Sequence, residues 1–285
     1  MRTPLNPLAT VIILAAALAS PLSGASAEKA PITPLGSTSF IWDTLTPKPT
    51  AQGQRRDVVN HPTPTLARFQ SHITTLNPGN ASHPPHQHPL EEMIFLKEGQ
   101  LEVTINGQNF PASPGSVLFY ASNDFHSVRN VGTTPATYIV MNFGTAATAT
   151  APKERAVDSA DPKKLRSQVF EWTKLPVKVH KTNERRDFFN APTVTCENVS
   201  CHSTTVKAGE ASHASHRHPD EEVVIVKEGT LEVLMNGKTE RGGPGSIFFF
   251  ASNEEHGMRN VGDTSATYYV IRVVTAATPK PPAKK

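Results

Sequence analysis

The chain has little from which to build a helical or membrane-spanning protein. No apolar run reaches the 18 or so residues of a membrane span, and no segment repeats its apolar residues convincingly at helical spacing. Charge of one sign is also missing. Lysine and arginine total 28 against 25 acidic residues, a formal net charge of +3. Lys280, Lys284 and Lys285 sit at the very end, so the folded part is near neutral and offers no clustered basic surface for nucleic acid. Cysteine is scarce, with Cys196 and Cys201 alone. In a straight strand, residues five apart stand about 17 Å apart, too far for a disulfide. A bridge would need a turn at 197–200, and buried free thiols are the alternative.

The N-terminus carries an export pattern. Arg2 gives the positive start, Leu8–Leu18 a short apolar run, and Ala25-Ser26-Ala27 a small-residue cleavage site. Residues 1–27 are therefore expected to be a signal peptide, which places the mature chain in the periplasm or outside the cell.

The rest is a duplication at an offset of 130 residues. HPPHQHPLEEMIFLKEGQLEV at 83–103 aligns with HASHRHPDEEVVIVKEGTLEV at 213–233, and PGSVLFYASNDFHSVRNVG at 114–132 with PGSIFFFASNEEHGMRNVG at 244–262. The alignment is gapless from 40 to 143 against 170 to 273. This predicts an arm at 28–39, domains at 40–144 and 170–275, a linker at 145–169 rich in alanine, threonine and charge, and a disordered tail at 276–285. Within each copy the local signals are β. Asn106-Gly107 and Asn236-Gly237 sit between apolar runs, the mark of a tight hairpin whose turn residues need positive φ. Short runs such as SVLFYAS and ATYIVMNF supply further strands. The expected fold is all-β, two tandem barrels of jelly-roll type. They should pack as an intramolecular pseudo-dimer, and a homo-oligomer remains open.

Ten of the 12 histidines fall into pairs 130 apart. His86 and His88 are two apart, so in an extended segment they share a face. Glu92 has the same parity, whereas Glu91 points away. His126 comes from a later loop. The second copy repeats the set as His216, His218, Glu222 and His256. Three imidazoles and a carboxylate make a site for a divalent transition metal, one per domain, with coordination positions left open. Zinc, copper, manganese, iron and nickel all suit such donors. Across the membrane, where the cytoplasm's control of manganese and iron no longer applies, the usual affinity order favours zinc or copper. His72 and His202 read as pocket acid–base groups or hydrogen-bonded structural histidines. His83 and His213 lie beside the ligands or in solvent. The arginine pairs at 55–56 and 185–186 meet an anion or pair with Asp57 and Asp187.

These residues resemble the cupin superfamily. Gly79, His86, His88, Glu92 and Gly99 look like its first motif, one residue longer in the first gap, and Pro114-Gly115, His126 and Asn130 look like the second. Gly209, His216, His218, Glu222, Gly229, Pro244-Gly245, His256 and Asn260 repeat both. The family's proline and glycine before the last histidine are replaced by Ala121 and Asn123, and by Ala251 and Asn253, which touches loop geometry and not the ligands. The resemblance implies a bicupin with a small-molecule substrate or ligand. Three functions follow from it: a ring- or diketone-cleaving dioxygenase with Glu92 or Glu222 doubling as catalytic base, an oxalate-type decarboxylase, or a non-catalytic binder. The decarboxylase's lid glutamate would have to come from Glu254-Glu255.

Overall fold

The computed structural model describes residues 32–150 and 161–280. The expected signal peptide lies outside the described residues, as do residues 281–285 of the expected tail. In the first copy the strands are β1 (Thr38–Phe40), β2 (Lys48–Thr50), β3 (Gly53–His61), β4 (Arg68–Leu76), β5 (Glu91–Glu98), β6 (Leu101–Ile105), β7 (Gln108–Ala112), β8 (Val117–Tyr120), β9 (His126–Asn130) and β10 (Ala136–Gly144). A short helix, α1 (Ala146–Thr150), follows. The second copy repeats the set as β11 (Gln168–Phe170), β12 (Lys178–Val179), β13 (Asn183–Ala191), β14 (Asn198–Val206), β15 (Glu221–Glu228), β16 (Leu231–Met235), β17 (Lys238–Gly242), β18 (Ile247–Phe250), β19 (His256–Asn260) and β20 (Ala266–Val274). The chain turns at 276–278, where Thr275 N donates to Thr278 Oγ1 at 2.9 Å.

Each barrel closes a seven-stranded sheet over a three-stranded one, the latter being β7-β6-β9 and β17-β16-β19. The hairpins between β6 and β7 and between β16 and β17 turn at Asn106 (φ 47°)–Gly107 (φ 81°) and Asn236 (φ 49°)–Gly237 (φ 80°), as the primed turn demands. The large sheets are not built from one copy each. β1 pairs with β18 of the second barrel and β11 with β8 of the first, in equivalent registers: Thr38 opposite Phe249 and Gln168 opposite Phe119. Repeat and barrel therefore do not coincide. Covering each β8-type edge with a strand from the other copy removes an exposed edge on both sides.

The exchange is anchored by the tryptophan after each exchanged strand. Trp42 N donates to Ser246 Oγ at 3.0 Å and Trp172 N to Ser116 Oγ at 3.3 Å. Their rings lie against Gly245 and Gly115, where an added Cβ would come within 2.3 Å and 2.8 Å of ring carbon. Both glycines sit at φ 93°, so sterics and backbone agree on glycine. Arg56 and Lys97 stand over Trp42, and Arg186 and Lys227 over Trp172, at 4.3–5.0 Å. Arg55 instead pairs with Asp57 at 2.9 Å. The two members of each arginine pair thus have different tasks.

β5 is buried along both faces because it lies between two cores. Met93 and Phe95 enter a core shared by the two barrels, while Ile94 and Leu96 fill the first barrel's interior. Phe69 of one barrel stacks on Phe249 of the other at 5.4 Å. The same alternation sends Glu91 and Glu92 opposite ways. Glu91 is buried at the junction, where Thr193 Oγ1, Val194 N and Thr195 N donate to it at 2.6, 2.8 and 3.2 Å. Glu221 reciprocally accepts from Thr63 Oγ1 at 2.7 Å and Thr65 N at 2.9 Å. Removing a buried acceptor strands its donors, so Glu91→Ala should lower stability by about 2–4 kcal/mol and Glu91→Gln by less; chemical denaturation measures both. Burial raises both carboxyls above their ordinary value of 4.5. The folded chain then holds protons that the unfolded chain has lost, and this contribution fades as pH rises through the folded value. The Gln variant should show a flatter stability–pH curve.

Cys196 and Cys201 are free thiols buried in the shared core, and burial raises both thiol pKa values. No disulfide forms.

Candidate metal centres

His86 and His88 are carried by the irregular loop between β4 and β5, not by a strand. His86 converges with His126 because the two residues form an isolated antiparallel bridge. His86 N donates to His126 O at 3.0 Å and His126 N to His86 O at 2.8 Å. A second tie comes from Asn123, whose N donates to His88 O at 2.8 Å while its own φ is 63°. Asparagine tolerates this left-handed conformation, so it replaces the family's glycine without loss of the turn. Asn253, at φ 61°, holds His218 in the same way. Asn130 Nδ2 donates to Leu76 O and Thr134 O, locking the far end of β9.

The donor atoms of His86, His88 and His126 lie within 4.8 Å of one another, as do those of His216, His218 and His256, and each group could hold a metal ion. Glu92 closes the first set, at 3.4 Å from His88 Nε2 and 3.9 Å from His126 Nε2. Glu222 stands 3.2 Å from His218 Nε2. Both predicted quartets are brought together.

The donors fit a cation. His88 Nδ1 lies 2.9 Å from Leu90 O and His126 Nδ1 2.8 Å from Asp124 O; His218 and His256 repeat this with Asp220 O and Glu254 O. A carbonyl partner assigns the proton to Nδ1 and turns Nε2 inward, the usual arrangement around a bound metal. Nε2 of His88 and His218 faces the carboxylates of Glu92 and Glu222. The Nε2 atoms of His126 and His256 are buried without any partner. Burial lowers the pKa of His86 to about 4 and that of His126 also, which keeps both imidazoles neutral. Burial opposes ionisation of Glu92, but the hydrogen bond with His88 and the neighbouring imidazoles outweigh it and hold the carboxylate below its ordinary range. Burial opposes protonation of His88 and His218, but the hydrogen bonds with Glu92, and with Asp220 and Glu222, outweigh it and raise both, His218 to about 9. A cation on these nitrogens would take the place of that proton.

Beside the first quartet lies a cavity of about 150 Å³ lined by Arg55, His72, His83, Glu92, Tyr120 and His126 among others. Beside the second is a wider one of about 540 Å³, lined by Arg185, His202, Glu222 and Arg272 among others. His72 faces the cavity with its Nδ1 buried and unpartnered, and burial depresses its pKa to about 4. The pocket placement holds at His72, and no hydrogen bond restrains its Nδ1. His83 packs edge-on against His86 at 4.0 Å. Glu254 accepts from Ser37 N at 2.9 Å and Asn236 Nδ2 at 2.7 Å.

Sequence reasoning missed two side chains at the second centre. Arg272 Nη2 donates to Asp220 Oδ1 at 2.8 Å, with Nε on Oδ2 at 2.5 Å, and Asp220 Oδ1 in turn lies 3.3 Å from His218 Nδ1. The equivalent positions of the first copy are Asn142 and Leu90. Comparing the two copies position by position would have exposed the difference.

A double barrel with a three-histidine, one-carboxylate cluster in each half defines a class of metal-binding proteins. Residues 72–142 and 202–272 each match the family model described as cupin domain. The chain belongs to the cupin superfamily and is a bicupin. Among solved structures it is similar to the formate complex of Lactobacillus farciminis oxalate decarboxylase, with 15% identity, TM-score 0.63, and coverage of 85% of this chain and 88% of that one. It also resembles AerE from Microcystis aeruginosa at 16%, 0.59, 81% and 98%. A mutant of salicylate 1,2-dioxygenase from Pseudoaminobacter salicylatoxidans follows at 18%, 0.56, 73% and 70%. At these identities the likeness establishes the fold. No curated protein matches by sequence.

Proposed function

We propose that this bicupin is an exported metalloenzyme of dioxygenase type, acting on a small phenolic, diketone or acid substrate. The observation that carries the reading is the buried, unpartnered Nε2 of His126 beside the neutral His86 and the anionic Glu92, at the wall of a cavity open to solvent. His86, His88, Glu92 and His126, with His216, His218, Glu222 and His256, would hold one ion per barrel. The ion would supply a Lewis-acid and redox centre at which substrate oxygen and O₂ meet. The chain's own residues do the rest. Glu92 accepts, on one of its carboxylate oxygens, the proton released from an enolic or phenolic hydroxyl, the catalytic-base role, and Glu222 does so in the second barrel. His72, held neutral, offers its unpartnered Nδ1 to the substrate. Arg55, in the cavity lining and paired with Asp57, adds positive potential for an anionic group. Both atoms of O₂ enter the organic substrate, which is oxidised.

The oxalate-type decarboxylase is the alternative, and the fold of the Lactobacillus enzyme is in its favour. Of the two lid candidates, Glu254 is tied to Ser37 and Asn236 and so is not placed to swing. Glu255 instead makes exposed contacts with Ser215 and Arg217 and is the residue on which the decarboxylase reading depends. An oxygen-electrode screen of metal-loaded protein against phenolics, diketones and small dicarboxylates separates the readings. Oxygen uptake equal to substrate consumed is expected. Carbon dioxide release from oxalate without net uptake would favour the decarboxylase, and turnover of nothing would leave a binding protein. Export directed by 1–27 would make zinc or copper the metal expected in protein taken from its own compartment, even where manganese or iron supports activity after reconstitution. Elemental analysis decides this, and a dominant manganese signal would contradict it.

A further inference from the structure

The two centres share every candidate ligand but differ in what flanks the carboxylate. Glu92 is in register with Tyr120 on β8 and with Asn142 on β10, so one row across three strands reads Tyr120, Glu92, Asn142. The same row in the second barrel reads Phe250, Glu222, Arg272. Parity along β8 turns Tyr120 into the barrel, with Leu118, while Val117 and Phe119 face the shared core.

Tyr120 is fully buried, and its ring stacks on His126 at 4.2 Å and 15° in the wall of the first cavity. Its hydroxyl is buried and has no hydrogen-bond partner. Buried hydroxyls in folded proteins are nearly always paired. Tyr268 donates to Ser212 Oγ at 2.9 Å and Tyr269 to Gly115 O at 3.0 Å. Phe250 packs on His256 in the same manner, at 4.3 Å and 9°. The ring alone therefore suffices for the packing, and the hydroxyl at 120 is free for another task. A phenol at neutral pH keeps its proton and can donate it in a hydrogen bond.

We propose that Tyr120 donates a hydrogen bond to an oxygen atom of the ligand held in the first cavity, a phenolate- or enolate-type oxygen, and that the second centre, with Phe250 in its place, binds such ligands without this bond. Tyr120 is on this account a specificity-determining residue, and the two centres are not interchangeable. The inference rests on the reading above that each metal remains open to an oxygen-bearing ligand. The cavity's volume of about 150 Å³ matches a single six-membered ring, since an engineered cavity of about that size holds benzene.

The test measures binding rather than turnover. The full chain is loaded with zinc after its second centre has been disabled by His216→Ala and His218→Ala, then titrated with 4-nitrocatechol, whose absorption shifts on coordination through oxygen. Tyr120→Phe should weaken binding about tenfold or more with zinc content unchanged. In the mirror experiment, with the first centre disabled by His86→Ala and His88→Ala, Phe250→Tyr should tighten binding. Affinities for Tyr120→Phe within about twofold of the parent, at equal zinc content, overturn the proposal alone. No binding of 4-nitrocatechol by the zinc-loaded parent overturns it together with the open-metal reading. Should Tyr120→Phe fail to fold, the Phe250→Tyr arm decides, and unchanged affinity there also overturns the proposal.

Discussion

His126→Ala should lower the metal content of the chain from two ions to one, and His256→Ala should do the same from the other side. Each removes an imidazole whose Nε2 is buried with no other use. Loss of a residue that merely orients a ligand weakens metal binding about 10–100-fold, so loss of the ligand itself should exceed about 100-fold. The intact centre is an internal control for folding, because its ligands are set by their own bridge, His216 with His256 or His86 with His126. The double variant should bind no metal at these sites. Elemental analysis after dialysis reads all three. A single variant that keeps two ions would mean that its histidine is not a ligand, and a parent that holds one ion would mean that one centre is vestigial.

The two halves, expressed separately as residues 28–150 and 151–285, should not exist as monomers. The first half would expose the shared-core face formed by Phe69, Met93, Phe95 and Phe119 among others, and it would leave β8 without the strand that covers it. Each such side chain loses about 1.5–3 kcal/mol on exposure, so the loss over the named four alone is comparable with the whole stability of an ordinary domain. The half still owns β1, and β1 fits β18 in the register in which β11 fits β8. Two copies of the half can therefore exchange β1 strands around a two-fold axis, as the two repeats do within one chain. Size-exclusion chromatography with light scattering should give dimers or larger species for each half. A well-behaved monomer of either half would contradict the shared core.

How far the sequence could be read follows from where each signal lies. The Asn-Gly hairpins were legible because the turn chemistry is local. The opposite orientation of Glu91 and Glu92 followed from strand parity, although the partners of Glu91 in the 193–195 loop did not, since nothing near residue 91 encodes them. His86, His88 and Glu92 were grouped by an argument from strand geometry, yet the two histidines lie in a loop. What unites them is a bridge to His126 across 40 residues. The strand exchange left only an indirect mark: Phe40 and Trp42 recur as Phe170 and Trp172 outside the motif blocks. A three-residue strand whose partner lies about 200 residues away, as for β1, or about 50, as for β11, has no periodicity to detect. The turn that would have allowed a Cys196–Cys201 disulfide gave way to packing, because both thiols point into the shared core. Tyr120 was visible in the aligned runs SVLFYAS and SIFFFAS, where the only polar difference between the copies is that hydroxyl.

The central claim is that each barrel holds one ion on three imidazoles and one carboxylate, with room left for a ligand. X-ray absorption at the metal edge of the full chain, combined with its metal content, tests this most directly. The account predicts two ions per chain, each with a shell of three imidazole nitrogens and carboxylate oxygen, and a shell that changes when 4-nitrocatechol is added. A shell with fewer imidazoles, or one closed to the added ligand, would contradict it.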